Sequence, residues 1–176
     1  ELEQRGRLGF DLETTGLPVK ADKAGGPVTI NMIRPLSAAF VLDDGNSLTT
    51  VLDEMACLPD HIIAGGAFTA NNISPKHLAG RQNQLSLAQT IEQVLQNDVP
   101  ILHSFNGLSY DAPILRHLFF ENLIEPNLLS FGNWVHVDLM LVAYAIKAFA
   151  TDAINFRVNE KGKLSLKQED LAEANH

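Results

Sequence analysis

The hydrophobic and polar positions of this chain predict strands first and helices later. Short apolar runs at Arg7–Glu13, Leu36–Leu42 and Ser47–Leu52 are typical of β-strands, and the turn Asp43–Asn46 joins the last two. The Gly and Asn of that turn tolerate the positive φ angles that a tight hairpin requires. The pattern therefore predicts three antiparallel strands at the start of the chain.

Helical periodicity follows in the second half. Apolar residues recur at spacings of three and four, and short strand-like runs at Val99–His103 and Val135–Val137 separate the segments. The helical positions are Leu87, Ile91, Val94 and Leu95, then Ile114, Leu115, Leu118, Phe119 and Leu123, then Leu139, Val142, Ala143, Ile146 and Ala150, and finally Leu171 and Ala174. Ser86 is the expected cap of the first helix, and Ser165 with Gln168 forms a capping-box pattern at the last.

The order of these elements predicts one mixed sheet covered by helices. Antiparallel strands come first, and two further strands alternating with helices are expected to pair in parallel. Residues 17–35 are rich in Pro and Gly and predict a surface loop, and Pro59–Gly80 is also rich in loop residues. No repeat or composition shift divides the chain, so residues 1–176 are expected to form a single α/β domain.

Composition narrows the class of protein. Hydrophobic residues make up 45% of the chain, and the longest apolar run, Leu139–Ala150, is interrupted by Lys147, so no membrane span is expected. The polar start Glu1–Arg7 lacks a secretory signal, and an initial residue other than Met indicates an excerpt of a longer protein. A single cysteine, Cys57, excludes an internal disulfide and favours a reducing, cytoplasmic location.

The charge of the chain bears on nucleic-acid binding. A formal net charge of −8 argues against a protein that coats nucleic acid through a basic surface. It is compatible with a nuclease, because cations held by carboxylates neutralise phosphate locally. The late basic residues Arg157, Lys161, Lys163 and Lys167 are interpreted as a solvated face.

Two places carry candidate chemistry. Asp11 and Glu13 are two positions apart in a predicted strand, so their carboxylates point to the same face and repel unless a cation or a proton intervenes. Such oxygen ligands suit Mg²⁺ or Mn²⁺ rather than zinc, although an exposed strand face also alternates polar residues. Asp111 follows the Asn106 turn between a strand and a helix, where catalytic groups of α/β proteins gather. A helix cap is the alternative role of Asp111, and a plain turn residue that of Asn106.

Together these segments resemble the DEDD superfamily of 3′→5′ exonucleases, and within it exonuclease I. Phe10–Gly16 (FDLETTG) resembles the first motif of that superfamily, and Ser104–Asp111 (SFNGLSYD) resembles the second. Asn71–Pro75 (NNISP) resembles the loop between them that meets the end of the substrate. The order of residues 138–175 also fits exonuclease I, so the resemblance covers nearly the whole chain.

The resemblance implies a fold and a set of functional residues. It implies a ribonuclease-H-like domain in which Asp11, Glu13 and Asp111 are catalytic and help to hold two Mg²⁺ or Mn²⁺ ions at the terminal phosphodiester. The implied substrate-binding residues are Leu12, Thr14, Thr15, Leu17, Ile73, Phe105 and Asn106. Leu17 and Ile73 would form an apolar clamp on the terminal base, with plain anchoring of their loops as the alternative.

One motif of the superfamily is missing. A His acting as general base and a fourth carboxylate are expected after Asn175, and His176 lies too early to be that His. Loss of a general base typically costs ~10²–10⁴-fold in rate. We therefore expect a domain that is incomplete at its C-terminal end, and that binds metal weakly and turns over poorly by itself.

Three functions remain open at this point. The first is a 3′→5′ exonuclease of single-stranded DNA, with RNA as a possible substrate and with protein partners unknown. The second is a nuclease-fold module that binds nucleic acid or a protein without catalysis. The third is a structural α/β domain with chance motif matches, which requires Asp11, Glu13 and Asp111 to lie apart.

Other polar and aromatic residues are given structural roles. Asp138 is expected to cap a helix, with a position near the site as the alternative. Trp134 and Phe131 are expected in the core rather than stacked on bases. The remaining residues, expected at the surface or the core edge and not as metal ligands, are His61, His77, His103, His117 and His136.

Overall fold

The fold is built on one five-stranded mixed sheet. The computed structural model describes residues 6–16, 29–58, 70–96, 101–124, 135–150 and 152–175. The strands are β1 (Arg7–Thr14), β2 (Pro35–Asp43), β3 (Leu48–Met55), β4 (Ile101–Ser104) and β5 (Val135–Asp138), in the spatial order β3-β2-β1-β4-β5. β1, β2 and β3 pair antiparallel, and β4 pairs parallel with both β1 and β5. The predicted mixed sheet is confirmed.

Five α-helices accompany the sheet in the described ranges. They are α1 (Pro75–Leu78), α2 (Gln84–Gln96), α3 (Asp111–Glu121), α4 (Leu139–Phe149) and α5 (Gln168–Asn175), and a 3-10 helix spans Ile30–Met32. The four long helices were predicted, whereas α1 and the 3-10 helix lie in segments that were expected to be loops. None of the helices in the described ranges is long and apolar enough to cross a membrane.

Two predicted helix starts are wrong. Asn83, not Ser86, caps α2, because Asn83 Oδ1 accepts the backbone N–H of Ser86 at 2.8 Å. The last helix begins at Gln168 rather than at Ser165. The Ser165 hydroxyl donates to Asp170 Oδ2 at 2.5 Å, and the Ser165 backbone N–H, which the Gln168 side chain would bond in a capping box, donates to the Arg157 carbonyl at 2.7 Å.

The hydrophobic core lies on one face of the sheet. Alternation along β1 buries Leu8, Phe10 and Leu12, and the Phe10 ring stacks on Phe40 of β2 at 5.6 Å between centroids. Helices α2 and α3 cover this face with buried side chains, namely Leu87, Ile91, Leu95, Ile114, Leu115, Leu118 and Phe119. Because successive strand residues point to opposite faces, Gly9, Asp11 and Glu13 point away from this core.

Helix α4 contributes little to that core. Its sequence predicts an apolar face, but Ala143 is the only buried residue on this helix. Leu139, Val142 and Tyr144 are each about half exposed. The amphipathic pattern therefore predicts where the helix lies in the sequence, but it does not predict which residues pack against its apolar face.

The Arg34 guanidinium joins the 3-10 helix to α3. It donates to the carbonyls of Asn31 and Ile33 at 2.6 and 3.0 Å and to Glu121 Oε1 at 2.5 Å, with its side chain 12% exposed. The backbones of Arg34 and Thr15 are bonded as well, since the Thr15 N–H donates to the Arg34 carbonyl at 2.9 Å. Arg34 thus fixes the segment beside the end of β1.

We expect Arg34→Ala to lower the free energy of unfolding by ~2 kcal/mol, because hydrogen bonds to charged groups contribute ~1.5–3 kcal/mol. Arg34→Lys should recover less than half, since an ammonium group lacks the planar fork of donors. Arg7→Ala is the control, because its ion pair with Asp43 is 4.0 Å long and its side chain is 63% exposed. Urea unfolding measures all three variants, and equal losses for Arg34→Ala and Arg7→Ala would refute the assignment.

Candidate active site

The first two carboxylates lie on the face of β1 that is turned away from the core. Asp11 is exposed and Glu13 is partly buried, and in the sheet they lie beside Ala39 and Ser37 of β2. These small neighbours leave space above the strand. Burial, with the charge of Asp11, raises the pKa of Glu13 above its usual range. The two carboxylates therefore share one face and repel one another, as the sequence predicts.

The third carboxylate reaches the same place from another element. Asp111 is the first residue of α3 and is only 4% exposed. Burial raises its pKa to about 7, the charge of Asp11 adds to the rise, and Asp138 and Glu13 contribute further. Asp11, Glu13 and Asp111 are thus electrostatic neighbours at the carboxyl ends of β1 and β4. This contradicts the interpretation that the motif matches are due to chance.

Asp111 is not a helix cap. The position before α3 is held by Tyr110, which makes no side-chain cap bond, and the Asp111 carboxylate lies inside the first turn. Burying a carboxylate without an opposite charge is unfavourable, which is why its pKa rises. A buried group of this kind in a cleft is a functional candidate.

Hydrogen bonds from Tyr110 link the second resembling segment, Ser104–Asp111, to the first, Phe10–Gly16. The Tyr110 hydroxyl donates to the Gly16 carbonyl at 2.6 Å and makes a short hydrogen bond with the Thr14 hydroxyl. The Asn71 side-chain amide donates to the Thr14 carbonyl at 3.0 Å, which brings the third resembling segment to the same point. Neither Tyr110 nor Asn71 was predicted to have a role of its own, although both lie within the resembling segments.

Asp138 does more than cap α4. It accepts the Met140 N–H at 3.0 Å, as expected of a cap, and it also accepts the backbone N–H groups of Asn106 at 2.9 Å and Leu108 at 3.1 Å. No spacing rule in the sequence indicates those two bonds, because the partners are about 30 positions away and belong to another loop.

The implied substrate-binding residues lie in several environments. Leu12 and Thr14 are each 5% exposed, as is Ile73, which packs against Leu36 and Leu78. This burial favours the loop-anchoring alternative for Ile73. The remaining residues of the set are Thr15, whose hydroxyl accepts the Arg34 N–H, and the partly exposed Phe105 and Asn106. Leu17 lies outside the described residues.

A groove of about 280 Å³ opens beside Asp11 on the face opposite the core. Its walls include small or apolar residues of the sheet and the first residue of α4, namely Gly9, Ala39, Val41, Phe105 and Leu139. His103 also lines it. The groove gives an extended ligand access to the exposed Asp11 carboxylate.

Most histidines of the described ranges have partners that explain them without a metal. His136 Nε2 lies 2.7 Å from the Ser104 hydroxyl, and His117 Nε2 lies 3.2 Å from Glu121 Oε1. His77 Nδ1 accepts the Ser74 N–H at 3.1 Å. His61, Phe131 and Trp134 lie outside the described residues, so their predicted roles stay predictions.

The donor set suits a hard divalent cation. Three clustered carboxylates, one of them with a pKa raised to about 7, gain from the charge of Mg²⁺ or Mn²⁺. Across the described ranges, no three His, Cys, Asp or Glu side chains are already arranged to hold a metal ion. The chemistry of the ligands therefore fits, while their side chains are not arranged for coordination.

Two curated relatives of this chain have the same name. Exodeoxyribonuclease I of Buchnera aphidicola subsp. Acyrthosiphon pisum is 26% identical over 176 residues, which cover 96% of this chain and 40% of that protein. Exodeoxyribonuclease I of Escherichia coli (strain K12) is 25% identical over 126 residues, which cover 68% of this chain and 26% of that protein. The chain thus spans well under half of the length of these relatives. No protein-family model matches it.

Solved structures show the same fold. A product-bound exonuclease I matches 98% of this chain and 38% of its own with a TM-score of 0.83 and 22% identity. Escherichia coli exonuclease I in complex with a dT13 oligonucleotide matches 98% of this chain and 36% of its own, with a TM-score of 0.79 and 22% identity. These likenesses confirm the predicted ribonuclease-H-like fold.

Proposed function

We propose that this chain is an exonuclease I-like domain of the DEDD type. Its proposed activity is that of the nuclease domain of a 3′→5′ exonuclease acting on single-stranded DNA. The observation that carries the proposal is the convergence of three carboxylates near the end of β1, where the charge of Asp11 helps to raise the pKa values of Glu13 and Asp111. The relatives named exodeoxyribonuclease I support the reaction type. The oligonucleotide-bound neighbours support the substrate, with RNA as the alternative.

We assign the three carboxylates to divalent cations, Mg²⁺ or Mn²⁺, two in the complete site. Bound cations neutralise phosphate charge and lower the pKa of a bound water, which makes a nucleophile available near neutral pH. Asp111 holds a proton in part of the molecules at pH 7 and must release it to become a ligand. Asp11 is exposed to the groove, and we place the substrate in that groove.

The proposal includes weak activity for these 176 residues alone. Of the described histidines, His136 and His117 are already paired with Ser104 and Glu121, and His103 lines the groove beside Asp11. We therefore base the weak activity on the general base that the resemblance places after Asn175. The cytoplasmic location, based on the single Cys57, stays a prediction.

Asp11→Ala tests the proposal. We expect it to weaken Mn²⁺ binding by more than the ~10–100-fold that changes outside the ligand shell cost, because a direct ligand is lost. Asp53→Ala is the matched control, since Asp53 is an exposed strand aspartate that also lies beside Ala39 in the sheet, but on β3. Isothermal titration calorimetry with Mn²⁺ measures the affinity of both variants. Equal affinities in the wild type and Asp11→Ala would contradict the proposed metal site.

A second function is favoured by one observation, the lack of a ready-made three-ligand geometry in the described ranges. A module that binds single-stranded DNA without catalysis would bind a 3′-labelled oligonucleotide equally well with and without Mn²⁺. An exonuclease would shorten that oligonucleotide from its 3′ end only when Mn²⁺ is present, and Asp11→Ala would abolish the shortening.

A further inference from the structure

A single buried carboxylate connects the second motif to the far edge of the sheet. Asp138 ends β5 and is 3% exposed. Its Oδ1 accepts the N–H groups of Asn106 and Met140, and its Oδ2 accepts the N–H of Leu108. Both oxygens are thus used, and two of the three donors come from the loop between β4 and α3.

Capping explains only one of these bonds. A helix cap needs an acceptor for an N–H of the first turn, and the Met140 bond supplies it. Ser, Thr or Asn would do the same with one oxygen. The bond to Asn106 shares Oδ1 with Met140, and the bond to Leu108 needs a second, acceptor-only oxygen, which among these residue types only a carboxylate provides.

These bonds fix the loop in a conformation that reaches Asp111. Asn106 has a positive φ of 64°, a conformation that Asn adopts more readily than most residues with a side chain, and the bond from its N–H to Asp138 holds it there. Gly107, between the two anchored N–H groups, packs so closely that a Cβ there would clash with the Ser104 side chain, and it would lie 3.3 Å from Asp111 Oδ2. The Gly107 carbonyl accepts the Ala112 N–H at 2.8 Å, so the loop and the first turn of α3 move together.

We propose that Asp138 is a positioning residue for the metal site: its carboxylate holds the Asn106–Leu108 loop so that Asp111 is presented to Asp11 and Glu13. The inference rests on the proposed metal-dependent function and deepens it. Loss of an outer group that orients a ligand typically costs ~10–100-fold in metal affinity, and we expect a loss of that size here.

Asp138→Asn and Asp138→Ser are the test variants. Asn has nearly the shape of Asp, but its side-chain NH₂ would face the Leu108 N–H, so that two donors meet. Ser would keep only the capping bond to the Met140 N–H. Asp44→Asn is the matched control, because Asp44 also accepts two backbone N–H groups, from Asn46 and Ser47 at 2.8 Å, in the β2–β3 turn. That turn lies at the opposite end of β1 from Asp11 and Asp111, and the control removes the same charge.

Two measurements are made on the whole chain. The first is Mn²⁺ affinity by titration at about pH 8.5, where Asp111 is ionised in every variant and its protonation does not contribute. We expect ~10-fold or greater weakening in both Asp138 variants and none in Asp44→Asn. The second is amide hydrogen exchange without metal, in which Asn106 and Leu108 should be protected in the wild type and exchange faster in the variants.

The outcomes separate this inference from the proposed function. A wild type that fails to bind Mn²⁺ would overturn the proposed function and, with it, the role of Asp138. If the wild type binds Mn²⁺ and the Asp138 variants bind it with the same affinity, the positioning role alone would be overturned. Unprotected Asn106 and Leu108 amides in the wild type would overturn it as well, without any variant having to fold.

Discussion

Asp111→Asn should stabilise the folded protein at neutral pH and remove most of its affinity for Mn²⁺. The carboxyl of Asp111 is buried beside Asp11, Asp138 and Glu13, which together with burial raises its pKa from 3.8 to about 7. Folding must therefore either protonate this group or bury its charge. An amide of the same shape avoids that cost but is a poor ligand for a hard cation.

The sign and the pH window follow from this pKa. An acid whose pKa is higher in the folded state favours folding in its protonated form, so stability is greatest below about pH 4 as far as this group is concerned. The loss grows from about pH 4 to about pH 7 and then becomes constant. At ~1.4 kcal/mol per pKa unit the cost is on the order of 4 kcal/mol, and we expect Asn to recover roughly 1–3 kcal/mol of it, because burying an amide is itself unfavourable.

Urea unfolding of the wild type and Asp111→Asn, at pH 5 and at about pH 8, measures this difference. Asp11→Asn is the comparison variant, because Asp11 is exposed and its replacement should abolish metal binding while recovering only the part of the stability that its charge takes from Asp111. Saturating Mn²⁺ should stabilise the wild type and leave both variants unchanged. A gain for Asp111→Asn that is the same at both pH values would show that ionisation of Asp111 is not its origin.

Phe40→Ala should cost ~3–5 kcal/mol, as large-to-small changes of buried aromatic residues do. Phe40 is 1% exposed and its ring stacks on Phe10. The next residue, Val41, points to the opposite face and lines the groove beside Asp11. Val41→Ala should therefore cost less than ~1.5 kcal/mol, because its side chain is only partly buried.

Thermal and urea unfolding compare these two neighbours on one strand. A large difference supports a sheet that is packed by helices on the Phe40 face and left open on the carboxylate face. Equal losses would mean that the face carrying Asp11 is also closely packed. Mn²⁺ affinity should be unchanged in Val41→Ala, which separates the wall of the groove from the metal ligands.

The sequence predicts those parts of the fold that depend on local periodicity. Period-two alternation in β1 predicts that Asp11 and Glu13 share one face, and the structure agrees, with Leu12 buried on the other face. The β2–β3 turn was also predicted from composition, and Gly45 there has the expected positive φ of 86°. Both features are decided by neighbours in the chain, which is why sequence reasoning can find them.

Features that depend on distant partners were missed. The bonds from Asp138 to Asn106 and Leu108 and the bond from Tyr110 to Gly16 join segments far apart in sequence. The helix starts at Gln84 and Gln168 were also missed, because several residues near each start can cap a helix. The candidate site was therefore predicted as a set of carboxylates, while the interactions that hold it together were not.

The pairing of β1 with β4 also has a kinetic consequence. In that pairing Arg7 lies beside Ile101, whereas β2 and β3 pair across a turn of four residues. Contacts between distant segments carry a larger loop-closure cost and tend to form later in folding. Because Asp11 lies on β1 and Asp111 follows β4, a metal ion that binds both reports on the slow, long-range step. In a refolding experiment, the Mn²⁺ signal should therefore lag behind the formation of the β2–β3 hairpin.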